Sequence, residues 1–244
     1  MLHTVYNSIH PLTEQKLTMK RIKEKHLTLR EKILESMRDA IISGAITSGS
    51  RVSEPELAER FGISRTPIRE AFRQLESEGY LKVIPRKGAV VSAFTQKDVE
   101  EFYAIKSILE GYAAKLACCR LIEKDIGKLE TINERLAELC TLGDIKQFFK
   151  VHNDFHDLFI KAADNEKLRE MINLLVTRFQ RLRMMSLSQP GRMAVSVQEH
   201  RKIIQAFRDR DCDNAELLVR KNAELGGRVL LDETACRPGQ AMDL

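Results

Sequence analysis

The chain of 244 residues has no apolar run approaching the roughly 18 residues of a bilayer-spanning helix, and Asp, Glu, Lys and Arg recur throughout. No membrane association is expected. The first residues, MLHTVYNSIHPLTEQ, lack the basic start and apolar block of a secretory leader, which points to a cytoplasmic protein. The five cysteines, Cys118, Cys119, Cys140, Cys212 and Cys236, form no CxxC pair. Neither a disulfide framework nor a zinc ribbon is indicated, and reduced thiols are expected. Also missing are a G-x-S-x-G elbow, a Walker loop and a dinucleotide fingerprint. The stretch His152 to His156 approaches a zinc-protease motif, but Asn153 stands where HExxH needs its general-base Glu. The composition, 43% apolar and 31% charged, is that of a soluble globular protein with one large domain or two smaller ones.

The net charge of +5 is unevenly placed. Residues 20–95 hold 15 Lys and Arg against 10 Asp and Glu, whereas residues 96–244 hold 24 of each. All the excess therefore lies in one segment of about domain size, which suggests a polyanion partner, nucleic acid first. The alternative is a solvated basic face without a partner.

Periodicity divides the chain at the same place. Residues 1–28 read as a flexible tail. From Leu29, the residues Ile33, Met37, Ala40 and Ile41 recur with helical spacing, closed by Gly44 and Gly49. Ser53 with Glu56 has the form of a capping box, and Gly62 ends that short helix. Ser64 is a second N-cap candidate with Pro67 in the first turn, and this helix should stop at Gly79. The period then switches to that of strands over residues 80–84 and 89–93, a hairpin with Pro85-Arg86-Lys87-Gly88 at its tip. After Thr95 the pattern predicts six helices, near 96–120, 123–140, 144–163, 166–187, 194–209 and 212–232. Short loops between them imply an antiparallel all-helical bundle. A loose tail follows from 235 to 244. The expected fold is mostly α, with a winged helix-turn-helix over 29–94 and a helical domain over 95–234.

Residues 55–75 have the build of a helix-turn-helix. Ile68, Ala71, Phe72 and Leu75 form the apolar stripe of its second helix, which leaves Arg65, Arg69 and Arg73 on the opposite face. Arginines near a helix N-terminus suit a major groove, because a guanidinium pairs with guanine O6 and N7 through two parallel hydrogen bonds. Ser64 and Thr66 are short donors for phosphate oxygens. Arg86, Lys87 and Gly88 at the hairpin tip read as a wing, with Gly88 allowing close approach to the duplex.

The runs FGISRTPIREA at 61–71 and LESEG at 75–79 resemble the DNA-binding domain of the GntR family of bacterial transcription regulators. The resemblance implies operator contacts by Arg65 and Arg69, a backbone contact by Thr66, and Gly88 in the wing. One departure is Pro55, where some members carry another DNA-contacting arginine. The later runs ILEGYAAKLA at 108–117, NDFHDLF at 153–159 and EHRKI at 199–203 resemble the FadR-type C-terminal sensing domain, FCD. That resemblance implies a helical bundle, a homodimer and an internal pocket for a small metabolite. A carboxylate effector is expected.

Many such domains bind a divalent metal through an Asp and a His four apart on one helix and a His on each of two later helices. His156 and His200 match two of these positions, while His152 stands for the Asp and Asn222 for the last His. His152 and His156 share a helix face by their spacing, and a mainly imidazole set suits zinc or nickel. The alternative is that these histidines only hydrogen-bond a ligand. Family members often place an arginine near Lys106 to pair with a ligand carboxylate; lysine keeps the charge and loses the two-point fork. The expected function is a metabolite-responsive regulator on a pseudo-palindromic double-stranded operator. Competing readings are a constitutive DNA-binding protein whose bundle only dimerises, and a metal-dependent hydrolase built on His152 and His156.

Overall fold

The computed structural model describes residues 28–42, 45–85 and 88–235. The tail before Thr28, Gly44, the wing residues Arg86 and Lys87, and the segment from Cys236 on lie outside the described residues.

The N-terminal unit begins with α1 (Leu29–Ile42), whose Ile33, Leu34, Met37 and Ile41 are buried along one stripe. Its start carries a reciprocal cap: Glu31 N donates to Thr28 Oγ1 at 3.2 Å, and Thr28 N donates to Glu31 Oε2 at 2.6 Å. Strand β1 (Arg51–Val52) follows, then α2 (Glu54–Phe61), capped by Ser53 and closed by Gly62 in the left-handed region. Next come α3 (Arg65–Ser77) and the strands β2 (Leu81–Ile84) and β3 (Gly88–Val91). The sheet has three antiparallel strands in the order β1-β3-β2, with Arg51 opposite Val90 and Lys82 also opposite Val90. The two-residue β1 escapes sequence reading because two residues carry no alternation to detect. Ile33, Met37, Ile68, Phe72, Leu75 and Tyr80 close the core of this unit.

The helical unit opens at α4 (Gln96–Cys118), where Thr95 and Asp98 complete a capping box. It continues through α5 (Glu123–Leu142), α6 (Ile145–Ala162), α7 (Glu166–Arg178), α8 (Gln180–Ser188), α9 (Arg192–Arg208) and α10 (Cys212–Ala235). The single helix expected over 166–187 is two, broken at Phe179 (φ −111°, ψ 27°). No Gly or Pro marks the break. There the Phe179 ring stacks on Phe102 with centroids 4.6 Å apart, beside Phe94.

Helices α4 and α10 run antiparallel and very close. Cβ atoms at Gly226 and Gly227 would meet the Tyr103 ring at 2.7 and 3.1 Å, and one at Gly111 would meet Arg220 at 2.4 Å. The two units also touch. Arg178 donates to Glu76 O at 2.9 Å, and a Cβ at Gly79 would fall 2.2 Å from Arg178 O. None of the helices in the described residues is long and apolar enough to cross a membrane.

Candidate DNA interface and sensing site

Arg65 opens α3, and Arg69 and Arg73 follow one turn apart, all exposed on the face opposite Ile68 and Phe72. They form one wall of a groove of about 640 Å³, which Arg51, Glu54, Pro85 and Gly88 also line. Four guanidiniums thus face one carboxylate. That carboxylate holds Arg69: Nη2 lies 3.0 Å and Nε 3.2 Å from Glu54 Oε2. Ser64 precedes α3 with extended backbone and makes no capping hydrogen bond through its hydroxyl, and Thr66 is exposed beside it. Gly88 has φ +90°, and a Cβ there would sit 2.6 Å from Val52 O. Its need for glycine comes from packing against β1, a reason internal to the sheet.

Three imidazoles meet in the bundle. His152 and His156 project from α6, and His200 from α9, with ring centroids 4.7, 5.1 and 5.5 Å apart. One nitrogen from each can be chosen so that all three lie within 4.8 Å of one another. All three side chains are buried. His156 Nδ1 lies 3.2 Å from Glu110 Oε2; among the described residues, the other ring nitrogens have no hydrogen-bond partner. Burial holds His152 and His200 well below the usual imidazole range, and the neighbouring histidine charges push the same way. Burial also lowers His156, though Glu110 opposes it. All three are neutral near pH 7 and offer lone pairs to a cation. Partnerless buried imidazole nitrogens are costly, so the donor set fits a divalent metal.

His152 and Asn222 line a common cavity of about 20 Å³ with Tyr103, Lys106, Arg183 and Arg192. Asn222 is buried and its Nδ2 has no partner among the described residues. Lys106, Arg183 and Arg192 are cations between 5% and 9% exposed. Lys106 is not left to a ligand alone, because its Nζ lies 2.5 Å from Glu110 Oε2. Burial opposes ionisation of Glu110, but Lys106 and His156 outweigh it and hold that carboxyl below its usual range. Burial pushes Lys106, Arg183 and Arg192 down. Arg183 donates to Asn153 Oδ1, and Arg192 Nε and Nη1 have no partner among the described residues. A small volume lined by three cations and neighbouring one carboxylate attracts anions.

Residues 29–91 match the family model of bacterial regulatory proteins, gntR family, and residues 101–224 match the FCD domain. The chain belongs to the GntR family of bacterial regulatory proteins. This GntR regulator is 31% identical over 196 residues to a probable D-xylose utilization operon transcriptional repressor of Paenarthrobacter nicotinovorans, covering 79% of this chain and 85% of that one. It is 27% identical over 188 residues to the transcriptional repressor RspR of Escherichia coli K12, covering 77% and 82%. The fold resembles that of E. coli McbR/YncC, with a TM-score of 0.66 at 23% identity over 85% of this chain and 99% of the other. The GntR regulator is a DNA-binding transcription factor and not an enzyme.

Several residues of both sites escaped sequence reading. Glu110 sits four residues after Lys106, a helical ion-pair spacing that was available as a signal. Arg183 lies on α8, which the break at Phe179 separates from α7, and Arg192 opens α9 on a third helix, so no single periodic stretch relates them to the histidines. Glu54 reads only as a helix-start acid until α3 folds back beside it.

Proposed function

We propose that this regulator binds a two-fold operator as a homodimer in the cytoplasm, and that a small carboxylate taken up beside a divalent metal sets its DNA affinity. The observation that carries the reading is the grouping of three buried, neutral imidazoles with three buried cations, in a chain that also displays an exposed arginine groove. Arg65, Arg69 and Arg73 would read the major groove, Ser64 and Thr66 would hold phosphates, and Arg86, Lys87 and Gly88 would form the wing. His152, His156 and His200 would bind zinc or nickel, with Asn222 as a weak fourth ligand through its amide oxygen. The metal would supply charge and open coordination positions for a carboxylate. Lys106, Arg183 and Arg192 would neutralise the anion.

The dimer reading rests on apolar surface. Ile105, Ile108 and Tyr112 on α4 are 46–56% exposed, and Met171 and Leu174 on the adjoining α7 are 58% and 76% exposed. Two neighbouring helices with unburied apolar faces suit a second copy of the chain, and a two-fold protein suits a two-fold site.

A cavity of about 20 Å³ holds roughly one water, so a metabolite must displace its walls. One wall is α8, which bears Arg183 and Ser186 on the cavity side. The same helix bears Arg181, which donates to Ser92 O and, at 2.8 Å, to Ser48 Oγ of the N-terminal unit. Expansion of the cavity therefore shifts a helix bonded to the DNA-binding head, which gives an effector different affinities for two head arrangements.

The test starts from chelator-stripped protein, titrated calorimetrically with zinc, nickel and manganese, with affinity measured for duplexes selected from a random pool. Expected are tight binding of zinc or nickel, its loss in His156→Ala, and a change in duplex affinity when simple mono- and dicarboxylates are added to the metal-loaded dimer. No metal binding tighter than about millimolar would leave the histidines as pocket hydrogen-bonders. An unchanged duplex affinity with every carboxylate would favour a constitutive DNA-binding protein.

A further inference from the structure

The far end of the bundle carries a feature unrelated to metal or DNA. Cys119 caps the C-terminus of α4 and Cys212 opens α10, 93 residues later, yet their sulfurs lie 3.1 Å apart. Cys119 is exposed and Cys212 half-buried, so small oxidants reach the pair, whereas the neighbouring Cys118 is buried. The backbone around them is already pinned. Lys115 pairs with Asp213 at 2.6 Å and with Glu216 at 3.3 Å, and Arg210 donates to Cys118 O at 2.5 Å. A disulfide has an S–S length of about 2.05 Å, so the sulfurs need to close by only about 1 Å.

We propose that Cys119 and Cys212 are an oxidation site that closes to an intramolecular disulfide under peroxide. The Cys119 sulfur attacks one oxygen of hydrogen peroxide, the O–O bond breaks, and a sulfenic acid forms as water leaves with the thiol proton. The Cys212 sulfur then attacks the Cys119 sulfur, and the hydroxyl leaves with the second proton as water. The two thiols lose two electrons and the peroxide gains them. Burial pushes the Cys212 thiol up, and its hydrogen bond with Cys212 pushes Cys119 up. Both shifts lower the thiolate fraction, so the first step is slow.

The position gives the bond a consequence. The loop between the two cysteines contains α5 to α9 entire, including His152, His156, His200, Arg183 and Arg192. A crosslink at its ends restricts the unfolded chain over the whole sensing bundle. It also fixes the distal end of α4, the helix that leads directly from the DNA-binding head and carries Lys106 and Glu110.

The test uses full-length protein treated with hydrogen peroxide, then alkylated in denaturant without reductant and weighed intact. The wild type should lose two of its five alkylatable thiols and two hydrogens in mass. Its melting temperature should rise by roughly 5–15 °C, reversed by dithiothreitol. Cys118 and Cys119 share one tryptic peptide, so variants make the assignment: Cys118→Ser should behave as wild type, and Cys119→Ser and Cys212→Ser should lose the crosslink and the stabilisation. Five alkylatable thiols after treatment, a crosslink that survives Cys119→Ser, or a covalent dimer on a non-reducing gel would each overturn the proposal. A bond that forms without the thermal shift would overturn its role as a staple of the bundle.

Discussion

The two halves of the chain handle the same cation in opposite ways. In the head, Arg65, Arg69 and Arg73 stand in solvent along one face of α3. Their charge is exposed and costs little stability, and apart from the pairing of Arg69 with Glu54 it is available for phosphate and base edges. In the bundle, Arg183 and Arg192 are 9% and 5% exposed, and Arg192 leaves Nε and Nη1 without partners among the described residues. Burying cations with incomplete pairing works against folding. A protein core has no use for such an arrangement, whereas a site that must attract an anion does. On the function proposed above, the exposed arginines would meet a polyanion at the surface, and the buried ones would receive a small anion inside.

The contrast makes acid the strongest means of separating the halves. The folded-state pKa values of His152, His156 and His200 lie below those of an unfolded chain, near 6.5. Above that pH neither state carries these protons. Below it the unfolded chain takes them up and the native bundle does not, so stability falls as pH falls. Each such group gives at most about 1.4 kcal/mol per pH unit until its folded pKa is reached, least for His156, whose shift Glu110 opposes. Metal-stripped protein should show bundle unfolding in urea shifting sharply between pH 7 and pH 5.5. The described head contains no histidine, so this effect should leave it unmoved. Bundle stability that is flat over that range would show the imidazoles are solvated.

Glu110 offers a slightly smaller effect at a single position. Its carboxylate faces both Lys106 and His156 from a fully buried place. Glu110→Ala leaves Lys106 unpaired in the interior and should destabilise the bundle by about 3–5 kcal/mol. The head should keep its own unfolding transition, and thermal melts followed by bundle and head probes in parallel check this. Equal losses in both transitions would mean that the contacts through Arg178, Arg181 and Gly79 make one cooperative unit.

In the head the effects move from stability to binding. Arg65→Ala and Arg73→Ala should each weaken selected-duplex binding roughly tenfold to a hundredfold if each reads a base, with melting temperature unchanged. Anisotropy titrations against selected and random duplexes measure it. Unchanged affinity in both variants would remove α3 from the recognition role.

How much of this was legible in the sequence follows the same division. The head was readable because its signals are local: capping residues, a switch of period at Tyr80, and arginines spaced by four opposite an apolar stripe. The exceptions were also physical. A two-residue β1 has no period, and the capping box at Thr28 and Glu31 was present in the sequence but went unread. The bundle's helices were readable but their facing was not. Its candidate site draws on α4, α6, α8, α9 and α10, and of the four candidate metal ligands only His152 and His156 lie within one helix turn. Without the resemblance to FCD domains, nothing in the spacing joins His200 or Asn222 to that pair. At the break, Phe179 packs against Phe102, a contact 77 residues distant that no local pattern encodes.

The smallest effect concerns the one carboxylate that the arginine groove retains. Glu54 holds Arg69 through Nε and Nη2, a two-point contact that fixes the guanidinium plane. The pair is too exposed to matter much for stability. Its effect belongs to recognition, in one of two ways. Acting as a competitor, Glu54 must be displaced before Arg69 meets DNA, and Glu54→Gln should raise affinity for every sequence alike. Acting as a brace, Glu54 limits the orientations Arg69 offers, and the same variant should bind random duplex more tightly while gaining little on the selected one. The second outcome is expected, because Arg69 projects from the first half of α3, where a guanidinium needs a defined plane to engage guanine O6 and N7 together. The ratio of selected to random affinity should fall about threefold to tenfold, an amount in keeping with partial loss of one bidentate contact. Glu54→Asp, which keeps the charge and shortens the reach, should fall between wild type and Glu54→Gln. A ratio unchanged in both variants would assign Glu54 to helix-start electrostatics alone.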